Sequence, residues 1–237
     1  HFCLRIARDI VATKIRNQRT LLQRDHIEPP PLVLQRLKRM TQQAQHAVDL
    51  DELLGIEGSA ARFYFEHFAG MIKIDESDRV PAFDFQTRNR RPPRDPINAL
   101  LSFAYSMLAK DFTIVCHSIG FDPFIGFYHQ PRFGRPALSL DLMEGFRPLV
   151  ADSAVLSAVN TRMVTAGDFI RVGQAVALTP AGRKGFIRAY EQRIDTLVTH
   201  PLFGYRVTYR RVFEIQARLL ARFITGEILR YPGFETR

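Results

Sequence analysis

Residues Asp95 to Gly120 read DPINALLSFAYSMLAKDFTIVCHSIG. Asp95 followed by Pro96 matches an N-cap with proline in the first helical turn, where the missing N–H costs nothing. The run then continues without proline or glycine to about Ser118, and Gly120 ends it, so a long helix is expected. Its most apolar part, Ile97 to Leu108, contains Asn98 and Ser102 and falls short of the ~18 residues of a membrane span. A core helix, with no membrane crossing, is the expectation.

The flanking segments carry the same helical period. On the N-terminal side, Leu4, Ile6, Ile10, Val11, Ile15, Leu21 and Leu22 recur among arginines, which predicts a basic amphipathic helix over Phe2–Leu22. Pro29, Pro30 and Pro31 break it, and a second helix is expected from about Val33 to Val48. Asp49 or Asp51 caps a third, running to about Ile72. Asp75–Asp95, DESDRVPAFDFQTRNRRPPRD, has no sustained period and reads as a basic loop. On the C-terminal side, helices are expected at about Ser139–Val159, from Thr179 and Pro180 to about Val198, and at about Val207–Leu229. The run DFIRVGQAVALTP predicts one hairpin about Gly173. The fold class is therefore mainly α, a multi-helix lobe with one small β-hairpin.

Composition narrows the function. The 237 residues carry 33 Lys+Arg against 24 Asp+Glu, a net charge of +9, and 46% are hydrophobic, which excludes disorder as the main state. Only Lys14, Lys38, Lys73, Lys110 and Lys184 are lysines, so arginine dominates. That favours phosphate binding, although GC-rich coding produces the same bias. Two cysteines, Cys3 and Cys116, exclude a disulfide framework or a Cys-rich zinc site and suit a reducing cytoplasm. HFCLRIARDI lacks the pattern of a secretory signal and reads as the interior of a longer chain. HExxH, paired CxxC, GxGxxG, GxxxxGK[ST] and GxSxG are absent, which removes support for zinc-protease, zinc-finger, dinucleotide, P-loop and serine-hydrolase readings.

Three segments combine acids or imidazole with special backbone signals. In LLGIEGSAARFYF (53–65), Glu57 lies between Gly55 and Gly58. Each glycine costs about 1 kcal/mol in a helix interior, so a packing or access reason is expected, close backbone approach being one. Glu57 alone also reads as an ordinary exposed or salt-bridged glutamate. In GFDPFIGFYHQ (120–130), His129 sits in a loop punctuated by Gly120, Pro123, Gly126 and Pro131; a lone histidine is more often structural. In SLDLMEGFRP (139–148), Asp141 and Glu144 share a helical face, where a divalent cation would turn their repulsion into a gain. Arg147 either neutralises the pair or reaches a phosphate. Together Glu57, His129, Glu144 and Asp141 make an O/N donor set suited to Mn²⁺ or Mg²⁺.

These segments, with RRPPRDPINALLSFAYS and LTPAGRKGFIRAYEQR, occur in an order that resembles the CRISPR-associated protein one family, the spacer-acquisition integrase, from about Leu53 to Tyr231. The resemblance implies that residues 1–237 form a helical catalytic domain, with N-terminal helices over 1–50 and the metal-site and DNA-binding core over 51–237, cut from a longer protein whose β-rich N-terminal domain this chain lacks. It implies a metal-dependent DNA endonuclease and integrase of prokaryotic antiviral defence, located in the cytoplasm. Glu57, His129 and Glu144 fall on the family's catalytic metal ligands, and Asp141 on a supporting acid. Gly145 departs from the pattern, since many relatives carry an acid there. Implied partners are double-stranded DNA (spacer fragment and repeat), a second copy as a homodimer, a small ferredoxin-like CRISPR-associated protein, and an iron-sulfur exonuclease, fused or associated. Arg88, Arg90, Arg91, Arg94, Arg132, Arg135, Arg206, Arg210 and Arg211 are candidates to hold DNA backbone, each also reading as a solvated charge. Asn98, Tyr64 and Tyr105 read equally as buried hydrogen-bonding groups or substrate contacts. The alternative to an enzyme is a non-catalytic, Arg-rich DNA-binding scaffold.

Overall fold

The 95–120 segment forms helix α4, Pro96–Ile119, in the computed structural model, which describes residues 2–73, 83–89 and 91–236. The Asp95 carboxylate accepts from the Asn98 amide at 2.8 Å. At the other end Gly120 takes φ +95°, a left-handed cap that a side chain disfavours, and its N–H reaches the Cys116 and His117 carbonyls. By length and composition alone α4 could cross a membrane, with a mean hydropathy of 1.4, so the sequence count of Ile97–Leu108 was too strict. Its Ile97, Leu100, Leu101, Ala104, Leu108, Phe112 and Cys116 are instead buried against neighbouring helices.

Three helices pack together on one side: α1 (Phe2–Asp25), α2 (Pro31–His46) and α3 (Leu50–Glu66). Asp49, not Asp51, caps α3 by accepting from the Glu52 N–H. α3 stops earlier than its apolar period suggests and tightens to a 3₁₀ turn at Phe68–Met71. There the Gly70 carbonyl accepts from Ile27 in the α1–α2 connection, and that crossing displaces a further α-helical turn.

The helix expected over Ser139–Val159 is broken. α5 spans Ala137–Met143, a wide π turn covers Arg147–Asp152, and α6 follows over Ser153–Asn160. Pro148 cannot donate an N–H to residue 144, so the ladder opens at that point. The break sits beside the acidic residues singled out above.

The hairpin about Gly173 is present, β1 (Phe169–Val172) pairing antiparallel with β2 (Ala175–Leu178). A second antiparallel pair was not expected: β3 (Leu197–Thr199) with β4 (Arg206–Thr208). It shortens the flanking helices to α7 (Pro180–Ile194) and α8 (Tyr209–Ile224). Val198 and Thr199 facing Val207 and Arg206 across Pro201 and Gly204 were the available signal. Thr208 then serves as the α8 N-cap, accepting from Arg211.

Phe112 of α4 and Phe213 of α8 lie 4.6 Å apart between ring centroids, and Phe146 lies 5.4 Å from the first and 5.0 Å from the second. Phe234 stacks on Phe146 at 5.6 Å. Burial of each such ring stabilises by about 1.5–3 kcal/mol. This aromatic core anchors the segment that follows Glu144.

Candidate metal centre

Asp141 organises the site. Its carboxylate is fully buried and accepts three successive backbone N–H groups, from Phe127 at 2.6 Å, Tyr128 at 3.0 Å and His129 at 2.8 Å. It also accepts from His129 Nδ1 at 2.7 Å. α5 thereby fixes the loop and assigns the proton of a neutral imidazole to Nδ1, leaving the Nε2 lone pair for a ligand.

Glu144 lies at the end of α5, its side chain only 3% exposed. His129 Nε2 is 3.6 Å from Glu144 Oε1, and Arg147 Nη2 is 2.9 Å from the same oxygen. Burial alone would raise the Glu144 pKa, but the charges of Arg147 and Lys14 outweigh it and bring it down to about 2. Glu57 reaches the cluster from α3 with its side chain 20% exposed. The structure thus brings Glu57, His129, Asp141 and Glu144 into one neighbourhood.

Lys14, on the buried face of α1, stands between the two glutamates. Its ammonium pairs with Glu57 and lies 2.7 Å from Glu144 Oε2. Burial would lower its pKa, yet the Glu144 and Glu57 charges prevail and hold it above the ordinary lysine value. Glu144 Oε2 is buried with the Lys14 ammonium beside it, and as an anionic oxygen it keeps acceptor capacity for a second cationic or donor group. Among the described residues, no three His, Cys, Asp or Glu side chains close on one point as a ready cation site. The donor set still fits a divalent cation of the Mn²⁺ or Mg²⁺ type: two carboxylates, one imidazole nitrogen held by a carboxylate, and an under-used buried oxygen.

α1 approaches this cluster closely because Gly145 has no side chain. A Cβ there would meet Thr13 Cγ2 at 3.1 Å, and Asn17 Nδ2 donates to the Gly145 carbonyl at 2.8 Å. On its other side Thr13 abuts Gly233, where a Cβ would overlap its hydroxyl. Gly55 and Gly58 behave differently. A Cβ at either would meet nothing within 4 Å, so of the packing and access reasons expected for them, close backbone approach is absent and the open helix surface they leave beside Glu57 fits access.

Behind Glu144, Asp152 accepts from Tyr64 at 2.8 Å and Tyr105 at 2.7 Å. Burial pushes the Asp152 pKa up to about 6 against the pull of the two phenols and Arg147. Arg147 lies over the Tyr105 ring at 4.7 Å, with Arg88 over the same ring at 5.5 Å. The matched tyrosines are therefore a buried hydrogen-bonding layer. Asn98 has a similar role, accepting from Arg88 at 2.7 Å and from the Asn89 N–H at 2.9 Å.

The candidate DNA arginines divide. Arg88 is committed to Asn98 and Ser102, Arg210 to Glu191 and Asp195, and Arg211 to Glu214. Arg91, Arg94, Arg132 and Arg206 are exposed, and Arg135 is half-buried, with no acidic partner among the described residues. Arg132 and Arg135 bracket Phe133, which is fully exposed, in a turn on the His129 loop. Arg90 lies outside the described residues.

Against known proteins, the family model described as CRISPR associated protein Cas1 matches residues 1–192. The chain belongs to the Cas1 family. A Cas4 exonuclease/Cas1 endonuclease fusion of Geobacter sulfurreducens is 51% identical across 99% of this chain and 43% of its own length. A Cas1 endonuclease of Thermus thermophilus is 42% identical across 99% of this chain and 67% of its own. The chain therefore spans about two fifths of that fusion and two thirds of that Cas1 endonuclease. The solved Cas1 protein of Thermotoga maritima superposes with a TM-score of 0.80 at 27% identity, over 94% of this chain and 66% of its own. A casposase bound to integration product shares the fold, with a TM-score of 0.83 at 24% identity over 99% of this chain and 65% of that one. These agree with the mainly helical lobe expected of a Cas1 protein. Lys14 and Asp152 of this Cas1-family chain were missed by sequence reasoning. Lys14 had left a trace, a lysine in register with Ile10, Val11 and Ile15 on the apolar face of α1.

Proposed function

We propose that this chain is the catalytic part of a CRISPR-associated DNA endonuclease and integrase that inserts captured spacer DNA into the repeat array by metal-assisted phosphoryl transfer. The observation that supports this most is the Asp141–His129–Glu144 relay, which turns an imidazole lone pair toward a buried carboxylate. Glu57, His129 and Glu144 would hold Mn²⁺ or Mg²⁺, which when bound polarises the scissile phosphate and offsets charge on the oxygens of an in-line displacement.

The protein's own groups do the rest. Asp141 keeps His129 in one tautomer and orientation. Arg147 holds Glu144 ionised and is itself held over Tyr105. Exposed Arg91, Arg94, Arg132 and Arg206, with Arg135, would position the DNA backbone without reading sequence. A DNA 3′-hydroxyl attacking the phosphorus forms a new P–O bond as the old one to the leaving strand breaks, giving strand transfer. Water in the same position gives cleavage.

In the cell the proposed setting is the prokaryotic cytoplasm, as a homodimer acting on double-stranded spacer and repeat DNA. A small ferredoxin-like partner is part of the proposal, since a solved Cas6-RT-Cas1–Cas2 complex contains a region similar to this chain at 27% identity and a TM-score of 0.81. An iron-sulfur exonuclease, fused or associated, is proposed from the resemblance and from the Cas4/Cas1 fusions among the relatives.

The test is Mn²⁺-dependent strand transfer and cleavage on branched DNA. Glu57→Ala, His129→Ala and Glu144→Ala are each expected to abolish turnover while circular dichroism shows a folded protein. Activity retained in all three would overturn the assignment. Salt-sensitive DNA binding with no Mn²⁺-dependent turnover would favour the Arg-rich scaffold.

A further inference from the structure

Lys14 occupies the gap between the two glutamates that reach the cluster from different segments. Its side chain is 7% exposed, with its stem running along a helix face shared with Ile10, Val11, Ile15 and Gln18, all buried. The placement is enforced from both sides of the residue. Thr13 packs against Gly145, and Asn17 donates to the Gly145 carbonyl, so the first turn past Glu144 is clamped to the turns of α1 around Lys14. The backbone of Lys14 is therefore fixed beside the cluster, so its side chain reaches the two glutamates from a defined place.

An ammonium between two carboxylates supplies the same thing a divalent cation supplies: positive charge at a point where two anions converge. The two differ in reach. Ammonium–oxygen contacts settle near 2.7–2.9 Å, whereas Mn²⁺ or Mg²⁺ draws oxygens to about 2.0–2.2 Å. Both cannot fill the same space between Glu57 and Glu144. The cluster's formal charge points the same way. Glu57, Asp141 and Glu144 face Lys14 and Arg147, a net of one negative charge with His129 neutral, which a dication would reverse and which departure of the lysine would make a match for it.

We propose that Lys14 competes with the divalent cation for the gap between Glu57 and Glu144, so that loading the metal requires the ammonium to move aside. This rests on the metal-site reading above and adds a regulatory element to it. Lys14 holds the two glutamates together without metal and sets the cation concentration at which the site fills. The lysine is a positioning residue with a long flexible stem, suited to that movement. Arginine, whose rigid fork binds two oxygens at once, is the closest charged comparison.

Isothermal titration of the full chain with Mn²⁺ tests this, alongside thermal unfolding in EDTA and in excess Mn²⁺. Lys14→Met is expected to bind Mn²⁺ at least tenfold more tightly than the parent protein, about 1.4 kcal/mol. Its unfolding midpoint should fall in EDTA and recover with Mn²⁺. Lys14→Arg should stay within a few-fold of the parent. A merely structural lysine predicts the opposite sign, since loosening the site weakens metal binding. If Lys14→Met fails to fold in EDTA, Lys14→Gln, which keeps a hydrogen-bond donor, carries the same expectation. An affinity in these variants equal to or below the parent's overturns the proposal. The metal reading fails separately: it falls if the parent protein shows no saturable Mn²⁺ binding, or if Glu144→Gln leaves that binding unchanged.

Discussion

The Asp141 Oδ1 atom accepts two hydrogen bonds from His129, one from its backbone N–H at 2.8 Å and one from its ring Nδ1 at 2.7 Å. One carboxylate thus fixes both the place of the residue and the direction of its ring. Because the acid is fully buried, the arrangement depends on all its donors at once.

In the metal site proposed above, replacing Asp141 by Asn should weaken Mn²⁺ binding although Asp141 acts only through His129. The amide keeps one acceptor oxygen, and its NH2 opposes either the Phe127 and Tyr128 N–H groups, if it takes the Oδ2 place, or both His129 donors, if it takes the Oδ1 place. Mn²⁺ affinity is expected to drop about 10–100-fold, the usual effect of losing the partner of a ligating histidine. Titration calorimetry reads this directly; an unchanged affinity would show that His129 does not ligate.

Asp152 should give stability a specific pH dependence. Its pKa rises from 3.8 unfolded to about 6 folded, so between those values the native state holds the proton more tightly. Stability from this group is fully present below about 4 and is lost as pH rises through 6, a loss of about 3 kcal/mol. Asp152→Asn removes the titration. In urea unfolding, the stability of the Asn variant relative to the parent should rise from pH 4 to pH 7 and then level off. A difference independent of pH would contradict the assignment.

Gly55→Ala offers a gain. The position is helical and open, so alanine should stabilise by about 0.5–1 kcal/mol, seen as a higher denaturant midpoint at unchanged slope. Strand transfer should fall if the bare surface beside Glu57 is where DNA backbone approaches. A destabilised Ala variant would mean a hidden packing role for the glycine.

The arginines should separate by their partners. Arg132→Ala is expected to lower the salt slope of DNA binding by about one unit, the signature of one lost phosphate contact. Arg210→Ala should change it far less, because that guanidinium already pairs with Glu191 at 2.7 Å and Asp195 at 3.1 Å. Equal slopes for the two variants, measured over a series of salt concentrations, would remove Arg132 from the interface.

What could be read from the chain alone followed the range of the forces involved. Capping and proline chemistry are local, so α4 was legible nearly to the residue from Asp95, Pro96 and Gly120. Helical period is local too, yet it misled from Ser139 onward, because the loss of one N–H at Pro148 opens a ladder whose apolar pattern continues. The pair β3–β4 was hidden by three-residue strands too short to show alternation. The candidate ligands were reached through their motifs, whereas their true neighbour is 43 residues from Glu57 in sequence. Nothing in α1 announces that Lys14 faces two glutamates; only its register with isoleucines hints that it points inward.

Thr13, held between Gly145 and Gly233, carries a consequence for how sequences of this fold can vary. Three positions far apart in the chain share one small volume, so none of them can change size independently. A larger residue at 145, such as an acid, requires a smaller one at 13 or an outward shift of α1, and such a shift would draw Lys14 away from Glu144. Substitutions at 13, 145 and 233 should thus be found together across related chains, and variants that change only one of them should lose expression yield before they lose any ligand.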